Sequence, residues 1–418
     1  MATIQENGKA VPVIHTAQVL VAGAGPAGAM AAIASARAGA DTLLIERANC
    51  AGGIWTSGML SWLIDINDKN GLLREMINRI YDEGEGDFAR DGNFITFPET
   101  IKRVLDEMLL IAGVKVLYYT TVVGAIRSGD QLSHVVVESK AGRHAIRAAV
   151  FIDATGDGDL SYFAGCRYKI GNDEDGATQP GSLVALMTGV HAEDVREFNN
   201  TLPYPDEKNT AKDRLWREMQ RAGVQPSYSA PSFFHIKDDI WLVMTTHAYG
   251  VDPLDPASLT KATIACRQEL YAQEVALRSL GGPWKNIRII ATAPYIGIRE
   301  ARRIEGKYVV TLEDAIVGRK HADAVCRVNF LLDVHPLKPS RTFEDEIGDI
   351  LTQPYDIPLR ALESADISNL LLAGRLISGD FYAHSSYRVT GDAATIGESV
   401  GREAAKRIKQ IMKRGNEK

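Results

Sequence analysis

Residues 18–46 read QVLVAGAGPAGAMAAIASARAGADTLLIE, and this stretch sets the architecture of the chain. A short apolar run is followed by Gly23, Gly25 and Gly28 in the spacing G-x-G-x-x-G, and then by an alanine-rich segment. The pattern predicts a strand, a tight turn, a helix and a second strand over residues 42–45. The first glycine allows the turn, the second lets a pyrophosphate approach the backbone, and the third lets helix and strand pack closely.

The positions next to the turn extend this prediction. Pro26 and Ala27 stand in the first turn of the predicted helix, where backbone N–H groups and the helix dipole favour a bound phosphate. Glu46 follows the second strand, and its carboxylate can accept hydrogen bonds from both hydroxyls of an adenosine ribose. Because strand, turn, helix and acid all agree in spacing, we expect a dinucleotide site here.

The composition is that of a mildly acidic globular protein. The 418 residues have room for two or three domains or for one large interrupted domain, and 45% of them are hydrophobic. A net charge of −6 speaks against nucleic acid or an anionic membrane surface as a partner. No apolar run approaches the length of a membrane span, and no signal-peptide core precedes the first predicted strand.

The four cysteines are Cys50, Cys166, Cys266 and Cys326, and no two of them form a C-x-x-C pair. Such wide separation is typical of a protein of the reducing cytoplasm, and it speaks against a structural zinc or iron–sulfur site. We therefore expect a cytoplasmic protein without a bound metal.

Further elements follow from the periodicity of apolar residues. Helices are predicted at 72–81 and 98–112, a third parallel strand at 114–118, and a meander of three short strands between 122 and 148. A buried strand then ends in Ala154, Thr155 and Gly156.

The character of the sequence changes after about residue 160, which predicts a domain inserted into the nucleotide-binding domain. We expect an α/β protein with a discontinuous nucleotide-binding domain at 15–160 and 291–412, and an inserted α+β substrate (cap) domain at 161–290. The termini, 1–14 and 413–418, are expected to be flexible. In the cap, a long helix is predicted at 260–280 with Ser258 or Thr260 as its cap.

Taken together, these motifs resemble the FAD-dependent oxidoreductase family, flavoproteins related to fumarate reductase and glutathione reductase. The resemblance rests on the glycine turn with Glu46, the Gly52-Gly53 pair, Ala154-Thr155-Gly156, the segment GIREARRIEGKY at 297–308, and Ala373-Gly374-Arg375 with His384 and Arg388. It covers most of the chain and is weakest at 161–290.

The resemblance implies a Rossmann-like FAD-binding domain with a parallel sheet and a β-meander, in which the last strand and helix come from the C-terminal part of the chain. The residues that it implies for FAD binding are Gly23, Gly25, Pro26, Ala27, Gly28, Glu46, Arg47, Gly52, Gly53, Trp55, Thr56, Val123, Ala154, Thr155, Gly156, Gly374, Arg375 and Ile396. In such folds the last helix directs its N-terminus at the pyrimidine edge of the flavin, where the reduced ring carries negative charge.

Four residues are candidates for the chemistry. His384, expected in a short loop before the last helix, can take or give a proton near neutral pH, although it can equally serve only as a hydrogen-bond partner of backbone or flavin; His235 is a weaker candidate. Arg388 can clamp a carboxylate or an oxyanion, or instead pair with a nearby acid. Arg299 is the exception that we expect in a cluster of otherwise paired charges at 299–305.

Several motifs are absent from the sequence, and this narrows the function. No redox cysteine pair follows Gly53, which excludes the disulfide reductases of the related branch. No second G-x-G-x-x-G with strand and acid occurs, so the electron acceptor or donor is external. Ile54 and Trp55 stand where the covalent flavoproteins have histidine, so FAD is expected to be bound non-covalently.

We therefore expect an FAD-dependent oxidoreductase that transfers a hydride between a small polar substrate and N5 of the flavin. Two alternatives stay open, an NAD-dependent dehydrogenase and a non-catalytic flavin-binding redox sensor. An RNA-modifying flavoprotein would need a basic face, which the acidic balance does not favour. The oligomeric state is left open, with a homo-oligomer as one option.

Overall fold

The computed structural model describes residues 2–6, 8–203, 209–339 and 350–416. The strands are β1 (Thr3–Glu6), β2 (Lys9–Thr16), β3 (Val19–Ala22), β4 (Thr42–Ile45), β5 (Trp62–Leu63), β6 (Gly86–Phe88), β7 (Phe94–Thr96), β8 (Lys115–Leu117), β9 (Thr121–Ser128), β10 (Gln131–Ser139), β11 (Gly142–Arg147), β12 (Val150–Asp153), β13 (Tyr168–Lys169), β14 (Ala185–Thr188), β15 (Ser232–Lys237), β16 (Ile240–Met244), β17 (Arg288–Thr292), β18 (Arg303–Ile304), β19 (Ala324–Val328), β20 (Tyr355–Pro358) and β21 (Leu370–Leu372). The helices are α1 (Pro26–Arg37), α2 (Leu72–Asp82), α3 (Pro98–Ile111), α4 (Asp159–Phe163), α5 (Ala211–Arg221), α6 (Pro256–Ser279), α7 (Leu312–Val317), α8 (Phe381–Tyr387) and α9 (Thr390–Asn416). Short 3-10 turns lie at Gly53–Trp55, Ala192–Phe198, Gly282–Trp284 and Leu359–Leu362.

A parallel five-stranded sheet forms the centre of the fold, with the strand order β21-β12-β3-β4-β8. Neighbouring strands run in register, for example Val150 beside Val19 and Leu43 beside Lys115. The strands β3, β4, β12 and β21 are buried at every position, as expected for a parallel sheet covered on both faces. The Rossmann-like parallel sheet that the sequence predicts is confirmed.

The last strand and the last helix complete this sheet from the C-terminal part of the chain. Strand β21 pairs beside β12, and α9 packs along α1. A Cβ atom added to Gly397 or Gly401 would lie 2.0 Å from the carbonyl oxygen of Ala27 or 2.2 Å from that of Ala31. The two glycines therefore bring the helices into backbone contact.

A second sheet has the order β1-β2-β11-β10-β9 and contains the predicted meander. Its first two strands are a correction, because residues 1–14 were expected to be flexible. Strand β2 pairs in parallel with β11, with Val13 beside Ala145, and Val11 is buried. The open edge of the meander supplies hydrogen-bond partners that the local sequence does not reveal. At the other terminus, residues 413–416 continue α9, while 417–418 lie outside the described residues.

An antiparallel sheet of order β15-β16-β14-β17 lies in the predicted cap segment. With α5 and α6 it surrounds a separate apolar core that includes Leu183, Trp241, Leu270 and Ala293. The boundaries 161–290 remain a prediction. The cap of α6 is Asp255, whose carboxylate accepts hydrogen bonds from the N–H groups of residues 257 and 258, so the expected caps one turn later are wrong.

Candidate active site

A cavity of about 730 Å³ opens at the carboxyl ends of the parallel strands. This is the edge of an open α/β sheet at which nucleotides bind, and the volume is in the range of cofactor sites. The structure brings twelve of the predicted site residues into its lining, namely Gly25, Pro26, Ala27, Glu46, Arg47, Gly53, Ala154, Thr155, Gly156, Gly374, Arg375 and Arg388. The start of α6, from Pro256 to Arg267, covers it from the cap side.

The three glycines of the turn have different roles. Gly23 has φ +92°, and a Cβ atom there would lie 2.4 Å from the carbonyl oxygen of Ala154. A Cβ atom at Gly28 would lie 1.8 Å from the carbonyl oxygen of Gly23. Gly25, with φ −62°, faces open space, since a Cβ atom there would meet nothing within 4 Å. Packing thus requires the first and third glycines, whereas the second leaves room for a ligand.

Glu46 is held at the edge of the cavity by backbone hydrogen bonds. Its Oε2 accepts from the Ala24 N–H at 2.7 Å, and its Oε1 accepts from the Ala48 N–H at 2.8 Å. A carboxylate offers about four lone-pair positions, so both oxygens can accept further hydrogen bonds from a ligand. Beside it, the guanidinium of Arg47 lies 5.0 Å from the ring centroid of Tyr295.

The loop after β12 is held by a buried carboxylate, that of Asp153. It accepts hydrogen bonds from the Thr155 hydroxyl at 2.7 Å and from the Ser161 hydroxyl at 2.6 Å. At the cavity, Arg375 donates to Asp157 at 2.5 Å. These bonds fix the Ala154-Thr155-Gly156 turn.

The remaining predicted residues lie outside the cavity lining. Trp55 is fully buried, and the Thr56 hydroxyl donates to the Ala51 carbonyl at 2.7 Å. Gly52 has φ +101°, and a Cβ atom there would lie 2.5 Å from Cγ2 of Thr56. The absence of a side chain at Gly52 therefore leaves room for the Thr56 side chain inside the turn. The others are Gly23, Gly28, Val123 on β9, Ile396 inside α9, His384 and Arg299. Their assignment to FAD or to the chemistry stays a prediction.

His384 does not lie in an open loop, which corrects the expectation from the sequence. Asp380 caps α8 by accepting from the Ala383 N–H at 2.7 Å, so the segment winds into a helix, and His384 is only 1% exposed. Burial, helped by Arg303 and Arg388, holds the pKa of His384 well below its ordinary value. His235 bonds the Asp238 carbonyl in the β15–β16 hairpin and also lies outside the cavity lining.

A second feature adjoins the cavity, and we call it the arginine–histidine cluster. Its members are Gln179, Tyr228, His247, Tyr249, Arg299, Asp333, His335 and Arg388. Arg388 belongs to the cavity lining and also donates to the Asp333 carboxylate at 3.0 Å and to the Gln179 side-chain oxygen at 3.3 Å. The acid that pairs with Arg388 is therefore Asp333, and not an acid of the last helix.

One half of the cluster is built on Asp333. Its Oδ2 lies 3.2 Å from Nε2 of His335. Burial acts to raise the pKa of Asp333, but His335, Arg388 and Arg299 outweigh it and hold this pKa far below its ordinary value. Burial and Arg299 lower the pKa of His335 to about 4, so its imidazole is neutral at pH 7.

The other half is built on Arg299. It donates to the Pro180 carbonyl, to the Ser182 hydroxyl at 3.1 Å and to Nε2 of His247 at 3.1 Å. Burial and then the neighbouring Arg388 lower its pKa to about 10. The ring of His247 stacks on Tyr228 with centroids 4.1 Å apart, and burial and Arg299 hold its pKa far below the ordinary value.

Arg299 differs from its charged neighbours in its partners. Arg302 pairs with Asp159 at 3.0 Å, and Arg303 pairs with Glu300 at 2.9 Å. Within the described part of the chain, no carboxylate lies within ion-pair distance of Arg299.

Sequence reasoning missed Tyr228, His247, Asp333 and His335. The sequence does contain one indication of these residues. In His247-Ala-Tyr249 and in Asp333-Val-His335, two polar residues alternate with a small or apolar one, so that both side chains would lie on the same side of an extended segment. This indication could not show that the segments meet, since they lie more than 80 residues apart.

The described ranges contain neither a metal-binding group nor a membrane-spanning helix. No group of three or more His, Cys, Asp or Glu side chains there is arranged around a common metal position. None of the helices described is at once long enough and apolar enough to cross a membrane.

Comparison with known proteins agrees with this geometry. The family model "FAD dependent oxidoreductase" matches residues 18–413. Digeranylgeranylglycerophospholipid reductase of Methanocaldococcus jannaschii is 32% identical over 165 residues, 36% of this chain and 41% of that one. The second such reductase of Methanopyrus kandleri is 32% identical over 151 residues, 33% of this chain and 37% of that one. The chain thus matches about two fifths of the length of these curated relatives.

Among solved structures, one shares the fold of this chain at a TM-score above 0.5. That of BexE, described as concerning oxidation during BE-7585A biosynthesis, has a TM-score of 0.51 at 13% identity and covers 94% of this chain and 63% of that one. A geranylgeranyl bacteriochlorophyll reductase-like protein from Thermoplasma acidophilum has a TM-score of 0.48 at 13% identity, with 96% and 80% covered.

The family match spans nearly the whole chain, and the glycine turn, the Glu46 carboxylate and the returning β21 and α9 lie together at the cavity that it requires. The chain belongs to the FAD dependent oxidoreductase family, and it is an enzyme whose cofactor is FAD.

Proposed function

We propose that the protein transfers a hydride between a small polar substrate and N5 of a non-covalently bound FAD, with an external electron partner. The substrate is held where the cavity meets the arginine–histidine cluster. The observation that carries this proposal is the double membership of Arg388, which lines the cavity and bonds Asp333 and Gln179 of the cluster.

The residues of the cavity fit FAD. The open space at Gly25 and the N-terminus of α1 suit a pyrophosphate, and the free lone pairs of Glu46 suit ribose hydroxyls. Gly374 and Arg375 would contact the ribityl chain, and Thr390 brings the N-terminus of α9 to the cavity. When bound, FAD supplies the hydride chemistry.

The cluster supplies substrate binding and a proton site. His335 is neutral at pH 7 and is oriented by Asp333, so its imidazole can accept the proton that a hydroxyl or amine loses on oxidation. Arg388 stabilises negative charge that develops on the substrate oxygen. We assign the proton role to His335 rather than to His384, because His335 has a carboxylate partner, Asp333, at 3.2 Å and belongs to the cluster that Arg388 joins to the cavity.

Family membership favours this function over the two alternatives from the sequence, an NAD-dependent dehydrogenase and a redox sensor without catalysis. The two archaeal relatives are named as reductases of digeranylgeranylglycerophospholipid. The charged side chains of the cluster favour a polar substrate over such a lipid.

The test is anaerobic reduction of the bound flavin by a panel of hydroxy acids, amino acids, sugars and amines, followed by absorbance. At least one donor should bleach the flavin, more slowly when its reacting carbon carries deuterium. His335→Gln should slow this step about 100-fold or more, as expected for loss of a general base, whereas the exposed His15→Gln should not change it. The proposal would be refuted if no donor reduced the flavin of the holoprotein and no corresponding carbonyl compound reoxidised the reduced form.

A further inference from the structure

We propose that Arg299 is the binding site for a carboxylate group, so that the substrates of the enzyme are small carboxylic acids. The substrate class extends the proposed function and rests on it, but the anion site itself can be tested without turnover. Nothing in the family description or the names of the relatives specifies such a site.

The balance of charge in the cluster is the first argument. With both histidines neutral, Arg299 and Arg388 contribute two positive charges and Asp333 contributes one negative charge. Asp333 bonds directly to Arg388, whereas the partners of Arg299 among the described residues are a carbonyl, a hydroxyl and an imidazole. A partly buried cation without a directly bonded counter-ion is costly, and a bound anion of single charge would remove that cost.

The donors that remain on Arg299 are the second argument. A guanidinium has five N–H groups in a planar fork, and three hydrogen bonds to the protein leave two of them for a ligand. Two N–H groups of one planar fork match the two oxygens of a carboxylate. A phosphate, with close to two negative charges, would exceed the single net positive charge of the cluster.

Two tyrosines lie beside this guanidinium. Burial raises the pKa of Tyr228, which keeps its proton and can donate it to an anion, whereas the Tyr249 hydroxyl donates to the Ser227 carbonyl at 3.1 Å. Tyr228 stacks on His247, and the Tyr249 hydroxyl lies 3.4 Å from Nδ1 of the same ring. Both phenols therefore belong to the surroundings of the Arg299 guanidinium.

Arg299 can be reached from the cofactor cavity. Arg299 keeps accessible surface although Gln179, Ser182 and His247 around it are buried. The residues just before it, Gly297 and Ile298, line the cofactor cavity. A ligand in the cavity can thus reach Arg299 with one end while its reacting carbon stays near the flavin.

The test is protection of Arg299 from modification by phenylglyoxal in the holoprotein, mapped by peptide mass spectrometry. Sodium acetate serves as the general carboxylate, with sodium chloride at equal ionic strength and neutral acetamide as controls. Acetate at about nine times its Kd should slow modification of Arg299 about tenfold by mass action. Acetamide should not, and the exposed Arg288 on β17 should react equally in all three solutions.

Equal modification of Arg299 in acetate and acetamide would overturn the proposal, as would an Arg299 that does not react in any solution. A turnover assay adds a second readout. For any carboxylate donor found, Arg299→Lys should raise KM more than tenfold with a smaller change in kcat, because lysine keeps the charge but loses the fork. FAD content and donor-dependent bleaching test the proposed function, whereas protection of Arg299 by acetate tests the anion site. Failure of one proposal can therefore be distinguished from failure of the other.

Discussion

The glycine turn allows the cofactor site to be separated from the fold by one substitution. Gly25→Ala adds a methyl group where nothing lies within 4 Å, at an ordinary φ of −62°. Alanine lowers the entropy of the unfolded chain, which offsets its poorer quality as a helix N-cap. We therefore expect the free energy of unfolding of the protein without cofactor to change by less than about 0.5 kcal/mol.

The same methyl group stands in the space into which a pyrophosphate must fit. Moving the phosphate away from the amide groups at the start of α1 removes a hydrogen bond to a charged group, worth about 1.5–3 kcal/mol. The Kd for FAD should rise about ten- to one-hundredfold. Fluorescence titration of the apoprotein with FAD, combined with urea unfolding, measures both quantities.

Gly28→Ala is the matched comparison. Its methyl group would lie 1.8 Å from the Gly23 carbonyl oxygen, 1.2 Å inside the shortest separation of 3.0 Å that Cβ atoms adopt, so the helix must shift. Overpacking of this kind costs about 1–3 kcal/mol of stability. The reasoning is refuted if Gly25→Ala binds FAD as the wild type does, or if it unfolds as readily as Gly28→Ala.

Three further predictions concern other parts of the structure. Glu46→Gln replaces one of the two acceptors that bond backbone N–H groups, and should weaken FAD binding about tenfold in the same titration; an unchanged Kd would place the ribose elsewhere. The pKa of His335 is lowered from 6.5 to about 4 in the folded protein. On acidification the imidazole is therefore protonated first in the unfolded chain, which stabilises the unfolded state. The free energy of unfolding should fall by about 2 kcal/mol from pH 7 to pH 5 because of this one group. Urea unfolding of His335→Gln should show a smaller fall, and equal falls would contradict the assignment. Gly397→Ala should cost about 1–3 kcal/mol by separating α9 from α1, whereas Arg402→Ala, on the exposed side of the same helix, should be nearly neutral in the same assay.

The sequence predicts the nucleotide-binding half of the fold well because its signals are local. The strand before Gly23, the helix after it and the acid at 46 lie within one continuous segment, and each carries its own pattern. The meander follows from simple alternation, and the final helix α9 from the family resemblance. These elements agree with the structure to within a few residues.

Long-range pairing could not be predicted in the same way. Strand β2 is stabilised by β11, some 130 residues away, so the local pattern does not predict the strands at 3–6 and 9–16. His384 lies in a helix rather than in a loop because the side chain of Asp380 caps α8, a short helix of seven residues. The arginine–histidine cluster joins segments near 180, 228–249, 299, 333–335 and 388, and only tertiary structure shows their proximity.

The central claim, that non-covalent FAD occupies the cavity at the glycine turn, is tested most directly by the visible absorption spectrum of the purified protein before and after acid precipitation. Flavin bands should pass wholly into the supernatant, with about one FAD per chain, because the glycine turn forms a single dinucleotide site. Failure to bind flavin even after reconstitution with FAD would contradict it, and flavin that stays with the precipitate would contradict non-covalent binding.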